Sequence, residues 1–365
     1  MKVILVIAPD DSNAFVIFET LNDRGLELAI SDLLKNYLFH RAGDKIEEAK
    51  NRWLTMNAIL EGASDEPLVV TYLRHFAMSK YGLVREKDLF GVIKSKVTSK
   101  KAALQLSSDL SNSAKVYAGL INTDHEFWAK YDGVAKDAVR ALNVLGMIQM
   151  RPLLLAILDK FDEKSVAKSF RFLVSVAVRF QIVGGAGGGT LERIYSDAAK
   201  GVTDGSLTSI DQILKQITNL PPDANFIQAF SVASISKQGL ARFYLRALEM
   251  GNSGTKVELV PSEDTARVNL EHVLPVTPSG EWLKTWSTED AKAFQNRIGN
   301  LAILSSKMNS IIGNDAFNVK KKELAKSQFE FTKMIGVEIE WNKDAIERRQ
   351  MKMAQLAARV WSIKL

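Results

Sequence analysis

Cysteine is absent from the 365-residue chain. Its absence excludes disulfide bonds and the zinc sites that depend on cysteine ligands. No apolar run reaches the roughly 18 residues that a membrane-spanning helix needs. The apolar start of the chain, MKVILVIAPDD, turns polar too early for a secretory signal with a cleavage site. The sequence therefore predicts a cytoplasmic protein without a membrane partner.

A strong excess of one charge is also lacking. The 48 lysines and arginines stand against 42 acidic residues, which gives a net charge of +6. This balance permits nucleic-acid binding but does not argue for it, because binding depends on how the charges cluster. Apolar residues make up 46% of the chain and charged residues 25%, which is typical of globular proteins. The length predicts two or three domains.

The long middle of the chain, residues 44–250, has apolar residues at helical spacing almost throughout. We interpret it as a helical bundle or connector. The predicted helices include Lys45–Leu60, Pro67–Tyr81, Lys101–Ile121, Val134–Leu145, Arg151–Phe161 and Val166–Ile182. The glycine run Gly184–Gly189 lacks the lysine and the preceding strand of a phosphate-binding loop, so we interpret it as a connector. His40, His75 and His125 stand alone without nearby ligand partners, which favours structural roles.

The stretch Val268–Asn318 carries the residues that suggest chemistry. Glu271 and His272 end a β-branched run, Pro275 follows, and a second apolar run opens at Gly299-Asn300-Leu301. We predict strands at Val257–Val260, Val268–His272 and Leu301–Leu304, and a helix from Asn314 or Asp315 to Lys326. The expected fold class is mainly α, with a long helical region followed by a small α+β domain over residues 251–365.

Phosphodiester hydrolysis needs a group that removes a proton from water and a charge that stabilises the leaving 3′-oxygen. A neutral histidine can take the proton, and a Mg²⁺ ion held by oxygen ligands can supply the charge. Neighbouring side chains on a strand point to opposite faces. Glu271 and His272 would therefore need a twist or bulge at the strand end to reach one phosphate.

The order of these motifs resembles the HNH, or ββα-metal, nucleases, in which an acid-His-x-x-Pro string precedes two asparagines. It is closer still to the C-terminal nuclease domain of the GmrSD restriction endonucleases. The matching positions are Glu271, His272, Pro275, Gly299, Asn300, Leu301, Ile303, Leu304, Asn309, Phe317 and Lys320. The resemblance extends to a final helix expected to carry Trp341, Ile346, Arg348, Leu356 and Trp361.

The resemblance implies a part for each polar residue of the pattern. His272 would be the general base, and Asn300 would orient it. Glu271 and Asn309 would hold the metal, Mg²⁺ or Mn²⁺, with Asn314 or Asp315 as alternatives to Asn309. For Lys320, which matches a family position, we predict a phosphate contact with DNA, and we interpret Arg348 on the final helix in the same way.

A second resemblance lies near the start of the chain. Its residues are Phe18, Leu21, Asn22, Gly25, Leu28, Asp32, Leu33, Leu34 and Lys35. They resemble the end of the ParB/sulfiredoxin-like, nucleotide-dependent domain of the same family. This implies a remnant of that domain over residues 1–43. The turn itself suggests a phosphate or nucleotide contact by Asn22 and Arg24, because arginine in a glycine-containing turn suits phosphate geometrically. An alternative interpretation is a helix–turn–helix that simply packs in a core. No DGQQR-like motif precedes the match, which does not favour nucleotide hydrolysis by this chain alone.

Taken together, the patterns predict a metal-dependent DNA endonuclease or nickase of a restriction or anti-phage system. Its substrate would be modified phage DNA. Two alternatives stay open: a catalytically silent DNA- or protein-binding remnant, and one half of a split enzyme with a separately encoded N-terminal partner.

Overall fold

The computed structural model describes residues 30–185, 187–252, 264 and 267–364. The proposed nucleotide contacts Asn22 and Arg24, and the predicted strand Val257–Val260, lie outside these residues. The described chain forms two compact units. The first comprises the described residues up to Asn143, Met147–Arg171 and Gly187–Thr218. The second comprises those of Val144–Gly146, Phe172–Ala186 and Asn219–Leu365.

Helices α1 to α10 follow one another from residue 30 to residue 216. Their bounds are α1 Ile30–Ala42, α2 Ile46–Glu61, α3 Val69–Tyr81, α4 Leu89–Lys96, α5 Lys100–Ile121, α6 Gly133–Val144, α7 Arg151–Lys160, α8 Glu163–Val183, α9 Gly188–Asp204 and α10 Ile210–Gln216. The six helices predicted from apolar spacing are confirmed, with small shifts at their ends. None of the helices in the described parts of the chain is long and apolar enough to cross a membrane.

Two of the isolated histidines occupy structural positions in the first unit. His75 is 1% exposed, and its Nδ1 lies 2.8 Å from the hydroxyl of Tyr117. Burial lowers the pKa of His75 to about 3, so its ring stays neutral at physiological pH. Nδ1 of His125 accepts a hydrogen bond from the backbone N–H of Phe127 and caps a short helical turn. Both positions agree with the structural roles expected from the sequence.

The second unit combines helices with one small sheet. Its elements are α11 Asp223–Phe230, α12 Gln238–Gly251, β1 Val268–His272, α13 Trp282–Thr285, α14 Thr288–Phe294, β2 Leu301–Ser305, α15 Ser306–Ile312, α16 Phe317–Leu324, α17 Glu330–Lys333 and α18 Lys343–Val360. In the part of the unit that starts at Asn219, α11 and α12 both begin before residue 251, the predicted start of the C-terminal domain. Both pack against α18, where Phe230 and Tyr244 contact the ring of Trp361.

The helix predicted from Asn314 or Asp315 to Lys326 is confirmed as α16, with slightly shorter bounds. A helix that was not predicted, α15, precedes it. Ser305 starts α15, because its hydroxyl accepts a hydrogen bond from the N–H of Met308. Gly313 follows the end of α15 with a φ of 39°, a left-handed conformation that favours glycine. Trp341 and Trp361 flank the final helix rather than lying on it.

Two buried ionisable side chains, Arg349 and Glu249, join four elements of the second unit through hydrogen bonds to the backbone. Arg349 on α18 donates to the carbonyl oxygens of Gly299 at 2.6 Å and Leu301 at 2.9 Å. Glu249 on α12 accepts from the backbone N–H groups of Glu330 at 3.0 Å and Phe331 at 2.8 Å, at the start of α17. Burial raises the pKa of Glu249 to about 7, while the backbone N–H groups and Arg349 oppose that rise. The pair therefore fixes α12, α17 and α18 to the beginning of β2.

Replacing Arg349 with methionine should destabilise the second unit strongly. The change removes the donors to the buried carbonyl oxygens of Phe331, Gly299 and Leu301, and each buried polar group left unpaired costs about 1–3 kcal/mol of the free energy of unfolding. A raised folded-state pKa means that the native protein binds the Glu249 proton more tightly than the unfolded chain does. This contribution to stability is therefore complete below pH 4.5 and is lost as the pH rises through about 7. Urea unfolding at several pH values measures both effects, and an unchanged midpoint in Arg349→Met would contradict them.

Candidate active site

The end of β1 places Glu271 and His272 beside the start of β2. The strands are antiparallel, with Glu271 opposite Ala302 and His272 opposite Leu301. The pairing is continuous through these residues, so no bulge turns the two side chains to one face. Glu271 shares its face with Ala302, which belongs to the hydrophobic core, and His272 points to the other face. The bulge that would bring both side chains to one phosphate is absent at this point.

His272 is half-buried and carries one hydrogen-bond contact on its ring. Its Nε2 lies 3.4 Å from Oδ1 of Asn296. Burial lowers the pKa of His272, the contact with Asn296 raises it, and the positive charge of Lys320 lowers it further. The net direction is downward, so the ring is neutral at physiological pH. A neutral imidazole has a lone pair that can accept a proton from water.

Asn300 does not contact the ring of His272, although the sequence predicted that it orients the base. It is fully buried, and its Oδ1 accepts from the N–H of Leu274 and from Nε1 of Trp341, both at 2.8 Å. Its Nδ2 donates to the carbonyl oxygens of Leu274 at 3.0 Å and Gln295 at 2.9 Å. All four hydrogen-bonding positions of the amide are thus used. Asn300 extends the pairing of the two strands and fixes the backbone just after His272.

Lys320 points inward, which corrects the prediction that it contacts DNA phosphate. It is 0% exposed, and its Nζ donates to Oε1 of Glu271 at 2.6 Å and to the carbonyl oxygen of His272 at 3.1 Å. Glu271 is itself 8% exposed. Burial raises the pKa of Glu271, and the ammonium of Lys320 opposes that rise. The lysine therefore holds the strand end through both Glu271 and the peptide of His272.

The predicted metal ligands do not fit a divalent cation in this arrangement. An ammonium 2.6 Å from Oε1 of Glu271 puts a positive charge where the metal would bind. Asn309 lies on α15, and its buried Oδ1 has no hydrogen-bond partner. One amide oxygen is a weak basis for a magnesium site, because Mg²⁺ is normally bound through at least one carboxylate. Among the described residues, no group of three or more His, Cys, Asp or Glu side chains could hold a metal ion.

Two residues at the site were not assigned a part from the sequence. Asn296 contacts the ring of His272, and Trp341 donates to Asn300. An asparagine in a loop carries no pattern that reveals such a contact, since only the folded chain brings positions 272 and 296 together. Arg348 remains accessible on the surface, where it forms a 2.9 Å ion pair with Glu338. A phosphate contact by Arg348 stays a prediction.

Gly299 precedes Asn300 at a place where two backbones meet closely. A Cβ atom at this position would lie 2.4 Å from the carbonyl oxygen of Ile346 and 2.8 Å from Cβ of Gln350. Real atoms do not approach so closely, so Gly299→Ala must push α18 away from the start of β2. We expect a loss of about 1–3 kcal/mol in the free energy of unfolding. Gly239→Ala is the control, because a Cβ there meets nothing within 4 Å; equal unfolding midpoints for the two variants would contradict this explanation.

The comparison with known families agrees with the point at which the second compact unit resumes, at Asn219. Residues 220–356 match the family model described as GmrSD restriction endonucleases, C-terminal domain. The match includes α11 and α12, and it begins one residue after Asn219, the first residue of the last segment of the second unit. No curated protein matches the chain. Residues 220–356 are therefore similar to the C-terminal domain of the GmrSD restriction endonucleases.

Proposed function

We propose that the C-terminal domain hydrolyses phosphodiester bonds of DNA, as an endonuclease or nickase of a restriction system. The observation that carries the proposal is His272, a half-buried histidine whose pKa is lowered by burial, within a region similar to the GmrSD C-terminal domain. Asn300 accepts a hydrogen bond from the backbone of the turn that follows His272, and Lys320 donates one to the carbonyl oxygen of His272 at the strand end. A rigidly held, neutral base is the group that such a hydrolysis needs.

The proposed reaction uses His272 to activate water. The ring nitrogen takes a proton from a water molecule, and the water oxygen forms a bond to phosphorus. The bond between phosphorus and the 3′-oxygen breaks, and that oxygen takes a proton from solvent. His272 then returns its proton to solvent. Exposed cations such as Arg348 and Lys322 would bind flanking phosphates and position the strand.

A divalent metal, Mg²⁺ or Mn²⁺, is implied by the resemblance to ββα-metal nucleases. It would stabilise the charge on the phosphoryl and leaving oxygens. The described side chains do not assemble a site for it, because Lys320 already neutralises Glu271. For this reason the steps above use only groups of the chain. We also propose that the DNA is modified phage DNA, as the resemblance to the GmrSD restriction endonucleases implies.

The test is cleavage of supercoiled plasmid by the full chain. Wild type and His272→Ala are incubated with Mg²⁺, with Mn²⁺ and with EDTA, and the products are separated on agarose. Parallel reactions use DNA of one sequence with unmodified or 5-hydroxymethylated cytosine. Cleavage by wild type but not by His272→Ala supports the proposal. Equal cleavage by both proteins, or none by wild type on any substrate, would overturn it.

A second candidate function is DNA or protein binding without catalysis. The observation that favours it is the buried Glu271–Lys320 pair, which occupies a position expected to bind metal. Such a protein would bind DNA with strong salt dependence and leave it uncut. A filter-binding titration at several salt concentrations, run beside the cleavage assay, separates the two functions.

A further inference from the structure

We propose that Asn296 is the positioning residue that sets the ring of His272, holding it in the tautomer with the proton on Nε2. Nδ1 is then the nitrogen that accepts the proton from water. The catalytic meaning of this inference rests on the proposed nuclease function, whereas the contact itself does not. Asn296 lies outside the motif positions that suggested the site.

The contact joins Oδ1 of Asn296 to Nε2 of His272 at 3.4 Å. An amide oxygen can only accept a hydrogen bond, so the ring nitrogen facing it must be the one that carries hydrogen. In a neutral imidazole the other nitrogen then has the free lone pair. In the described part of the chain, Nδ1 of His272 has no hydrogen-bond partner. Nε2 of His272 is therefore hydrogen-bonded to Asn296, and Nδ1 can accept a proton from water.

The backbone of Asn296 is fixed from outside the strand pair. The N–H of Ile235 donates to the carbonyl oxygen of Asn296 at 2.7 Å, and the N–H of Ile298 donates to the carbonyl oxygen of Ala233 at 3.2 Å. The segment Ser231–Ile235 thus pairs with Asn296 and with the two residues that follow it. A side chain on a backbone held in this way can orient a neighbouring ring, because little freedom remains to be lost.

Asn300 cannot orient the ring of His272 in this structure. Its two amide atoms already make four hydrogen bonds to Leu274, Gln295 and Trp341. Turning it toward His272 would break bonds in a fully buried position, where an unpaired polar group costs about 1–3 kcal/mol. Asn296 is only partly buried, and its oxygen already faces the ring. Catalytic hydrogen bonds are often long in the unbound protein and shorten when substrate binds.

The test reads the ring of His272 directly. The chain has four histidines, so ring-¹⁵N-labelled protein gives few signals, and His272→Gln identifies those of His272. Above the pKa of His272, wild type should show the tautomer protonated on Nε2, and Asn296→Leu should show a mixture. We expect kcat for plasmid nicking to fall by about 10–100-fold in Asn296→Leu, with KM little changed. Asn296→Asp keeps an acceptor and should restore the tautomer, with activity recovering at alkaline pH.

Asn318→Leu is the matched control, because Asn318 is exposed on α16 and the same substitution there should change neither the spectra nor the rate. An unchanged tautomer in Asn296→Leu, or a wild-type ring protonated on Nδ1, would overturn the proposal. If His272→Ala cuts DNA as fast as wild type, the proposed function fails instead, and the ring spectra still decide whether Asn296 orients His272.

Discussion

His272→Ala should lower the rate of plasmid cleavage by about 10²–10⁴-fold, the range that a general base contributes. The protein should still fold, because the half-buried ring makes one long hydrogen bond, to Asn296. Circular dichroism and the urea midpoint check that the loss of activity is not a loss of structure. A variant that unfolds at a lower urea concentration would not count as evidence for a base.

The role of His272 as a base also predicts how the rate of wild-type cleavage changes with pH. The base is active when neutral, and burial lowers the pKa of His272 below its ordinary value of 6.5. The cleavage rate should therefore rise with pH, with a midpoint below pH 6.5, and it should no longer change with pH near neutrality. His125→Ala, in the first unit, is the control and should keep the wild-type profile. A midpoint above 6.5 would contradict the assignment of the limb to His272.

Lys320→Met should reduce the free energy of unfolding by about 3–5 kcal/mol, the cost of removing one partner from a buried ion pair. The methionine fills much of the space of the lysine stem but leaves the carboxylate of Glu271 at 8% exposure without its 2.6 Å partner. The carbonyl oxygen of His272 also loses a donor. We expect cleavage to fall as well, because that carbonyl belongs to the residue proposed as the base.

A double variant separates the charge from the packing. In Lys320→Met/Glu271→Leu no charge is left unpaired, so much of the lost stability should return, since apolar replacements of buried ion pairs are often neutral. Lys322→Met is the control from the same lysine run, because Lys322 is exposed. Urea unfolding followed by tryptophan fluorescence measures all four proteins. If the single and double variants are equally unstable, the pair is not what holds the strand end.

Several features of this protein follow from local sequence. The helices are marked by apolar residues at helical spacing, and β1 and β2 by short β-branched or leucine-rich runs, so both kinds of element are confirmed near their predicted bounds. The family pattern also located His272 and Asn300 within one domain. Helix α15 had a signal that was missed, since Ser305 and Gly313 are ordinary helix start and stop residues.

The contacts of individual side chains could not be predicted from the local sequence. Lys320 sits in a run of three lysines, and such a run usually faces solvent. The turn of α16 that carries it faces the core beneath β1, so this one ammonium is buried against Glu271 while Lys322 stays exposed. Asn300 and Asn296 differ for a similar reason. The first meets Trp341 and Leu274 in the core, and only the second reaches the ring of His272.

By itself, the sequence determined a mainly helical chain, two short strands, and a single histidine in a nuclease-like motif, because periodicity and motif order are properties of neighbouring residues. The tertiary structure alone decided that Lys320 neutralises Glu271, that Asn300 fastens the backbone, and that Asn296 contacts the base. Positions 271 and 320, or 272 and 296, are far apart in the chain. Their contacts depend on how α16 and the loop after α14 pack against β1, and those packing energies are spread over the whole core.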